Sequence, residues 1–332
     1  MRKTLAAASI LGLAAIALVG CSSQPETPEA CGRVADTDAS LMGDIAVDGD
    51  AGSTLTVDAP EPFVSKSAEH LDLTTGDGPV ITSTSQAIVA DVTLVDGETG
   101  AQLTAAAPAG DLTQVLPIQT FLTAMPGLED ALMCASEGSR VVAALGAGGI
   151  EDSYGQQLTS ASQQNAMIDQ VQGTDTWPGG FDTVDGSRTL VVVDIERVLP
   201  ASADGSPVYN SGHGMPSVVR TPEGVPGVIV PDGDAPTEQK TQTLLAGDGA
   251  EVADRDVVTI QYLSVNWNTK AQTTSTWESG SPATTTLDQL PAGFADAITG
   301  ATVGSQILTV VPGDDGNATV SVIDVLGSVA AS

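Results

Sequence analysis

The chain is short of aromatic residues and of cations. Its 332 residues include only 3 Trp, 3 Tyr and 4 Phe, and 11 Lys and Arg oppose 42 Asp and Glu, which gives a formal net charge of −31. Two of the cations, Arg2 and Lys3, stand at the N-terminus, so the remainder of the chain is more acidic still. Such a surface repels phosphate backbones, and no cluster of basic residues offsets the repulsion. The composition therefore excludes a nucleic-acid partner.

Long apolar runs are also absent, apart from "LAAASILGLAAIALVG", which begins one residue after Arg2 and Lys3. This run is shorter than the roughly 20 residues that span a bilayer, and it is typical of a signal-peptide core. It ends in "LVGC", which resembles the lipobox of bacterial lipoproteins, in which the cysteine, here Cys21, is acylated after cleavage. A plain secretory signal that ends near a cysteine is the alternative.

On the lipoprotein interpretation, residues 1–20 are the signal peptide and residues 21–39 are a polar, Pro-containing tether. The folded part is then lipid-anchored at the outer face of the cytoplasmic membrane. Cys31 and Cys134 are the remaining cysteines. Outside the membrane such a pair more often forms a disulfide than a reactive site, so we predict that they are bonded to each other.

Motifs of nucleophilic, metal and nucleotide chemistry are missing. The chain has no G-x-S-x-G, S-x-x-K, C-x-x-C, H-E-x-x-H or G-x-G-x-x-G. The Asp-rich stretches "DGDAG", "PDGDAP" and "PGDDGN" suggest calcium, but none has the spacing of a specific calcium loop, and acidic turns are the favoured interpretation. We therefore expect neither a metal nor a cofactor.

An internal repeat organises the chain. "PGLEDALMCASEGSRVV" (126–142) aligns without a gap with "AGFADAITGATVGSQIL" (292–308), and "TTGDGPV" (74–80) corresponds to "LAGDGAE" (245–251). The closing segment "LVVVDIERVL" (190–199) is aligned with "TVSVIDVLGS" (319–328). The predicted units are a first domain at 40–199 with an inserted loop near 148–187, a Pro- and Gly-rich linker at 200–235, and a second domain at 236–332.

Each copy combines strands with one short helix. The runs "SQAIVADVTLV" and "DVVTIQYLSV" are rich in Val, Ile and Thr and alternate, which favours antiparallel sheet. In the helix, Leu128, Ala131 and Leu132 form one apolar face, as do their counterparts in the second copy. The predicted fold class is α+β, with each sheet wrapped on one short helix.

The order of the GDG turn, a strand pair, the helix, "VGS" and a closing "VIDVL" strand resembles FKBP-type peptidyl-prolyl isomerase domains, most closely the tandem, membrane-anchored type of actinobacteria. The resemblance covers residues 240–328 well and residues 70–199 more weakly. It implies two FKBP-like domains and an apolar pocket lined by aromatic side chains.

The resemblance also implies site residues in the second copy. Tyr262 matches the pocket tyrosine, and Phe294 matches the aromatic floor at the start of the helix. Leu290 and Pro291 match the pair where a backbone N–H binds the substrate carbonyl, although proline has no N–H to donate. Thr273 and Thr274 replace the family's Phe-Asp pair, and Ser321 replaces the last phenylalanine.

In the first copy the same positions are less aromatic. Val92 replaces the strand tyrosine, Leu128 the floor and Val192 the last phenylalanine. Tyr154, in the inserted loop, corresponds to the family's loop tyrosine. The second copy is therefore the one in which we expect isomerase activity.

Three functions are open at this point. The first is an anchored peptidyl-prolyl isomerase that acts on proline-containing segments of exported proteins. The second is a chaperone or peptide-binding lipoprotein that has lost isomerase activity. The third is a transporter's substrate-binding lipoprotein, which the repeat and the low helix content disfavour.

Lipidation at Cys21 is directly testable. Cells that produce the wild-type chain and are fed a radiolabelled fatty acid should incorporate the label into it, and Cys21→Ser should abolish incorporation and release the protein from the membrane fraction. The Cys134→Ser variant, which keeps the lipobox, should remain labelled. A wild-type chain that incorporates no label would leave only the plain secretory signal, and equal labelling of wild type and Cys21→Ser would contradict lipidation at Cys21.

Overall fold

The computed structural model describes residues 31–33, 39–53, 55–60, 62–97, 100, 102–103, 115–172, 184–313 and 316–330. The predicted signal peptide, Cys21 and most of the predicted tether lie outside these residues. Within the described part of the chain, no helix is long and apolar enough to cross a membrane.

The first half of the chain builds an antiparallel five-stranded sheet and a separate hairpin. Its strands are β1 (Ala46–Asp48), β2 (Thr56–Asp58), β3 (Glu69–Thr74), β4 (Ala87–Asp96), β5 (Val115–Pro117), β6 (Arg140–Ala144) and β7 (Thr189–Val198). Its helices are α1 (Ala39–Met42), α2 (Ile118–Ala124), α3 (Glu129–Leu132) and α4 (Asp152–Gln172), with short 3-10 turns at Pro126–Leu128 and Gly186–Arg188. The sheet order is β3-β6-β7-β4-β5, and β1 pairs with β2.

The second half builds an antiparallel seven-stranded sheet and a second hairpin. Its strands are β8 (Ser206–Pro207), β9 (Ser217–Arg220), β10 (Pro226–Ile229), β11 (Lys240–Ala246), β12 (Val257–Asn266), β13 (Gln272–Ser275), β14 (Ala283–Thr286), β15 (Gln306–Pro312) and β16 (Ala318–Val329). Its helices are α5 (Thr276–Ser279) and α6 (Phe294–Ile298), and Leu287–Gln289 is a 3-10 turn. The order is β13-β12-β16-β15-β11-β8, and β14 also pairs with β12, while β9 pairs with β10. The predicted α+β class is confirmed.

The two halves repeat each other in detail. Gly138 and Gly304 have positive φ angles of 88° and 91°, a conformation that suits glycine. Their N–H groups donate to the carbonyls of Ile195 and Val325, each at 2.8 Å. Beside them, the Ser139 hydroxyl accepts a bond of 3.0 Å from the N–H of Gly76, and Ser305 does the same for Gly247. The predicted alignment of residues 126–142 with 292–308 therefore describes equivalent structure.

The alignment of the closing strands was wrong by one residue. Asp194 pairs with Asp91 in the first sheet, and Asp324 pairs with Gln261 in the second, so Asp194 and Asp324 are counterparts. The sequence alignment had instead matched Asp194 with Ile323. Both segments are runs of β-branched residues, and such runs carry no internal mark of register.

Both faces of each sheet are covered. On one face, the first sheet packs against Leu128, Ala131 and Leu132, and the second packs against Phe294, Ala297 and Ile298. On the other face, β1 and β2 cover the first sheet, and β9 and β10 cover the second. Burial of apolar area on both faces is the main source of stability in such a three-layer arrangement.

The segment predicted as a linker is part of the second domain's structure. Met215, Val218 and Val228 of residues 200–235 pack on the apolar outer face of the second sheet. The N–H of the Trp267 ring donates to the carbonyl of Gly233 at 3.0 Å. The abundance of Pro and Gly concealed a hairpin, because a two-stranded hairpin is only marginally stable by itself and depends on the sheet that it covers.

The inserted segment predicted as a loop contains a helix. α4 spans 21 residues of this insertion. Its sequence lacks a clean apolar stripe, so periodicity did not reveal it. Its N-terminal part packs on the first domain through Tyr154 and Leu158.

The start of the described chain is fastened to the first domain. A disulfide joins Cys31 and Cys134, whose Cα atoms are 5.6 Å apart. Two residues on, the guanidinium of Arg33 forms a salt bridge with Asp72 and donates to the carbonyls of Ala131 and Met133 at 2.9 and 2.8 Å. These carbonyls are at the C-terminal end of α3, where a cation is favourable.

Removing the disulfide should destabilise the protein. The double change Cys31→Ser and Cys134→Ser opens a crosslink between residues 103 positions apart. We expect the free energy of unfolding to fall by about 2–5 kcal/mol, because the unfolded chain regains the entropy that the crosslink removed. Urea denaturation of the soluble oxidised chain and of the variant measures this difference. Coincident unfolding curves would show that the crosslink contributes nothing.

Candidate functional site

The structure brings the three predicted site residues of the second domain together. Tyr262 from β12, Leu290 after the 3-10 turn and Phe294 at the start of α6 belong to one apolar cluster between the sheet and α6. The rings of Tyr262 and Phe294 meet edge to face, with centroids 5.1 Å apart and planes at 88°. Phe294 is only 2% exposed, whereas Tyr262 and Leu290 are partly exposed. The cluster is thus a buried floor with a more open rim.

Tyr262 is held by the helix that follows β13. The hydroxyl of Thr276, the first residue of α5, accepts a 2.8 Å hydrogen bond from the N–H of Tyr262 and donates to the side chain of Gln261. α5 begins where Ser275 caps it by accepting from the N–H of Glu278. Sequence reasoning missed Thr276, although "STWE" has the S-x-x-E pattern of a capping box.

A left-handed glycine shapes the approach to the floor. Gly293 has a φ angle of 78°, and a Cβ atom there would be 2.5 Å from a methyl group of Val311. The side chain of Gln239 donates to the Gly293 carbonyl at 2.9 Å. Pro291 is exposed on the rim. It has no N–H, so it cannot supply the hydrogen bond that the FKBP resemblance assigns to this position.

The chemistry available in the cluster is apolar binding. Apart from the Tyr262 hydroxyl, its side chains are Val, Ile, Leu, Phe and Ala. Within the described residues, no group of three or more His, Cys, Asp or Glu is placed to hold a metal ion. The cluster therefore offers apolar contact area and, through Tyr262, one hydroxyl group.

The two threonines that replace the Phe-Asp pair of FKBP-type domains lie on the surface. Thr273 and Thr274 of β13 are exposed, and Thr274 pairs with Ser264 of β12. The hydroxyl of Thr273 donates to the carbonyl of Ser264 at 3.2 Å. Neither side chain is a member of the apolar cluster that contains Tyr262.

In the first domain the corresponding side chains pack into a filled cluster. Val92 occupies the position of Tyr262, and Leu128 occupies that of Phe294 and is fully buried. Phe121 from α2, Tyr154 and Leu158 from α4 pack against the same cluster. Tyr154 is therefore a helix residue packed on the first domain and not the loop residue that the sequence suggested. Its burial raises the pKa of the Tyr154 hydroxyl above its ordinary value.

Main-chain hydrogen bonds also close the rim of the first domain. The N–H of Glu151, just before α4, donates to the carbonyl of Ala124 at 2.9 Å, and the N–H of Gly127 donates to Gly149 at 3.1 Å. In the aligned repeat, Ala124 and Gly127 are the counterparts of Leu290 and Gly293. The insertion is thus hydrogen-bonded to the segment of the first domain that corresponds to the rim of the second domain's cluster.

The corrected strand register changes one site residue. Val192 lies on the hairpin side of the first sheet, with Leu190. Val191 and Val193 face the helix side, because neighbouring strand residues point to opposite faces. Val192 therefore does not occupy a pocket position. The counterpart of Ser321 is Val191.

The comparisons with known proteins point to one group. No protein-family model matches the chain. It is 29% identical over 87 residues to a "Probable FK506-binding protein" of Corynebacterium glutamicum, an alignment that covers 26% of this chain and 74% of that protein.

Solved structures with similarity include a putative peptidyl prolyl cis-trans isomerase FKBP12 from Mycobacterium tuberculosis, at 24% identity and a TM-score of 0.24, over 28% of this chain and 86% of that one. The three FKBP domains of wheat FKBP73 match 80% of this chain and 95% of theirs, at 10% identity and a TM-score of 0.30. FkpA from Escherichia coli matches at 19% identity and a TM-score of 0.27, over 37% of this chain and 54% of that one. The chain thus covers about half the length of FkpA.

Alkaline titration tests the burial of Tyr154. The chain has 3 Tyr. In an absorbance titration one of them should ionise late, and Tyr154→Phe should remove that late transition. Because folding raises this pKa, the folded protein keeps a proton that the unfolded chain releases, so stability should fall as pH rises above about 10.

The matched control is Tyr209→Phe, because Tyr209 is 94% exposed. This variant should keep the late transition. A late transition that survives in Tyr154→Phe would show that Tyr154 does not pack in the filled cluster.

Proposed function

We propose that the protein is an FKBP-type peptidyl-prolyl cis-trans isomerase whose activity is carried by the second domain. The observation that carries the proposal is the partly exposed Tyr262 set edge to face on the buried Phe294, beside Leu290. The similarity to the FK506-binding protein of Corynebacterium supports it.

The proposed reaction needs no nucleophile. Rotation about an Xaa-Pro bond meets a barrier of about 20 kcal/mol, because amide resonance is lost when the bond twists. The proline ring would sit on the Phe294 floor against Tyr262. A water-poor apolar site favours the twisted imide, whose carbonyl is less polar than that of the planar amide. The apolar character of the cluster is what this mechanism requires.

The first domain serves a structural role in this proposal. Its cluster is filled by Phe121, Tyr154 and Leu158, and main-chain hydrogen bonds close its rim. A proline ring would have to displace these side chains before it could reach Leu128.

A second candidate is a binding protein for proline-containing segments that has lost catalysis. Pro291 removes a hydrogen bond to the substrate carbonyl, and Thr273 and Thr274 are polar and exposed. Binding of an apolar ring needs only the floor and the rim, whereas catalysis also needs stabilisation of the twisted carbonyl. The same pocket is used in both candidates.

The proposed setting is the outer face of the cytoplasmic membrane. The "LVGC" motif ending at Cys21 supports a lipid anchor, and the Cys31–Cys134 disulfide fits an oxidising compartment outside the cytoplasm. Proline-containing segments of exported proteins are the proposed clients. The net charge of −31 disfavours nucleic acid as a partner.

The decisive variant gives the second domain the residues of the first. Tyr262→Val with Phe294→Leu should keep the fold, because Val92 and Leu128 pack at the same positions. We expect kcat/KM for an Xaa-Pro peptide to fall about 100-fold, since each lost contact of about 1.4 kcal/mol costs a factor of ten. A protease-free isomerisation assay on the soluble chain measures the rates.

The control is Tyr209→Ala, which removes an exposed tyrosine far along the chain from the cluster. It should leave the rate unchanged. If the wild type binds the peptide without accelerating isomerisation, the second candidate replaces the first. If the double variant keeps full activity while folded, the site assignment is wrong.

A further inference from the structure

The two domains meet through a small apolar contact close to the second domain's cluster. Ala87, Val89 and Leu199 of the first domain form one buried group with Val257 of β12. Val115 and Val329 pack against this group. β12 also carries Tyr262, so the strand that presents the proposed pocket is the one that the first domain packs against.

A short series of hydrogen bonds links Tyr262 to α2 of the first domain. The N–H of Tyr262 donates to the hydroxyl of Thr276 at 2.8 Å, and the carbonyl of Thr276 accepts from the N–H of Ser281 at 3.3 Å. The hydroxyls of Ser281 and Thr120 are hydrogen-bonded at 3.2 Å. In this series, Thr276 and Ser281 are the two residues that connect Tyr262 with Thr120 on the surface of α2.

The rim of the cluster lies next to the same contact. Ala283, two residues after Ser281, is a partly buried member of the Tyr262 cluster, and two residues span at most about 7 Å. On the other side of Ser281, a Cβ atom at Gly280 would be 3.3 Å from the Gln119 side chain. α2 therefore lies beside the edge of the cluster that contains Ala283. A residue larger than glycine at position 280 would crowd the side chain of Gln119.

The exposed part of α2 is polar and uncharged. Gln119, Thr120 and Thr123 are exposed, and the hydroxyl of Thr123 donates to the carbonyl of Gln119 within the helix. Amide and hydroxyl groups can both donate to and accept from peptide groups. No charged side chain lies on α2, so this surface suits a main chain better than an ionic side chain.

We propose that α2 of the first domain is a second wall of the second domain's binding site. Its occupant is the extended client segment that flanks the proline, whose main-chain groups hydrogen-bond with Gln119 and Thr120 while the proline ring occupies the Tyr262 and Phe294 cluster. This inference rests on the proposed function and extends it. The first domain then contributes to client binding although its own cluster is filled.

The length of the client becomes the measurable quantity. A short peptide of about two residues, an Xaa-Pro core alone, spans at most about 7 Å and contacts only the apolar cluster, whereas one of about ten residues spans roughly 33 Å when extended and reaches α2 as well. The wild type should therefore have a lower KM for the longer peptide when both share the same Xaa-Pro core.

The test is the double variant Gln119→Ala with Thr120→Val in the full soluble chain. Its KM for the long peptide should rise about threefold to tenfold, as expected for one or two lost hydrogen bonds. Its kcat, and both constants for the short peptide, should match the wild type. The control Ser160→Ala removes an exposed helical hydroxyl elsewhere in the first domain and should change neither constant.

The Ser281→Ala variant distinguishes an effect on client binding from an effect on the contact between the two domains. It breaks the hydrogen bond to Thr120 but leaves the α2 surface intact. If it reproduces the whole rise in KM, the effect arises from the domain contact and the proposal is overturned. An unchanged KM in the double variant overturns it as well.

Binding of a fluorescent long peptide can be measured by its anisotropy. This measurement tests the second wall even if the protein does not catalyse isomerisation. If the wild type binds but does not isomerise, the isomerase proposal fails, and weaker binding by the double variant still supports the second wall. If the wild type isomerises both peptides with equal KM, the second wall alone fails. If it neither binds nor isomerises either peptide, both proposals fail.

Discussion

The covering of both sheet faces is the constraint on which the rest of the structure depends. β4 and β12 have the same burial pattern along their ten residues, with only the sixth and the tenth residues partly exposed. A strand buried on both faces needs a layer on each side, and here the layers are a short helix and a hairpin. The sixth residue is Val92 in β4 and Tyr262 in β12. The proposed pocket is therefore the point where the covering of β12 on the helix side is incomplete.

The two copies differ in what packs on the helix side of the sheet. In the first, the insertion supplies α4, whose side chains Tyr154 and Leu158 pack against the cluster that also contains Val92. In the second, the chain between β15 and β16 is short, and the aromatic pair Tyr262 and Phe294 packs edge to face at the same positions. A side chain that fills a cavity from within stabilises the domain, and the same cavity left open can take a ligand. On the proposed function, divergence at this position separates a structural copy from a binding copy.

Much of this could be predicted from the sequence, because local patterns carried it. The alternating runs of β4 and β12, the apolar face of the helices and the left-handed glycines before β6 and β15 all have local signatures. The meeting of Tyr262, Leu290 and Phe294 followed from the family resemblance. What could not be predicted depends on tertiary contacts. The hairpin of β9 and β10 forms only where the outer face of the second sheet needs a cover, and α4 has no apolar periodicity of its own. The alignment of β7 with β16 follows from the cross-strand partners of Asp194 and Asp324, which are Asp91 and Gln261, and no single strand reveals these partners.

The fastening of Cys31 to Cys134 determines how mechanical force passes through the molecule. A pull on the chain ahead of Cys31 is delivered across the disulfide to Cys134, between α3 and β6. Residues between the two cysteines carry none of this load while the bond is intact, so β1 to β5 cannot be unravelled from that end. Tension on the N-terminus therefore enters the first domain at Cys134 and bypasses the residues between the two cysteines.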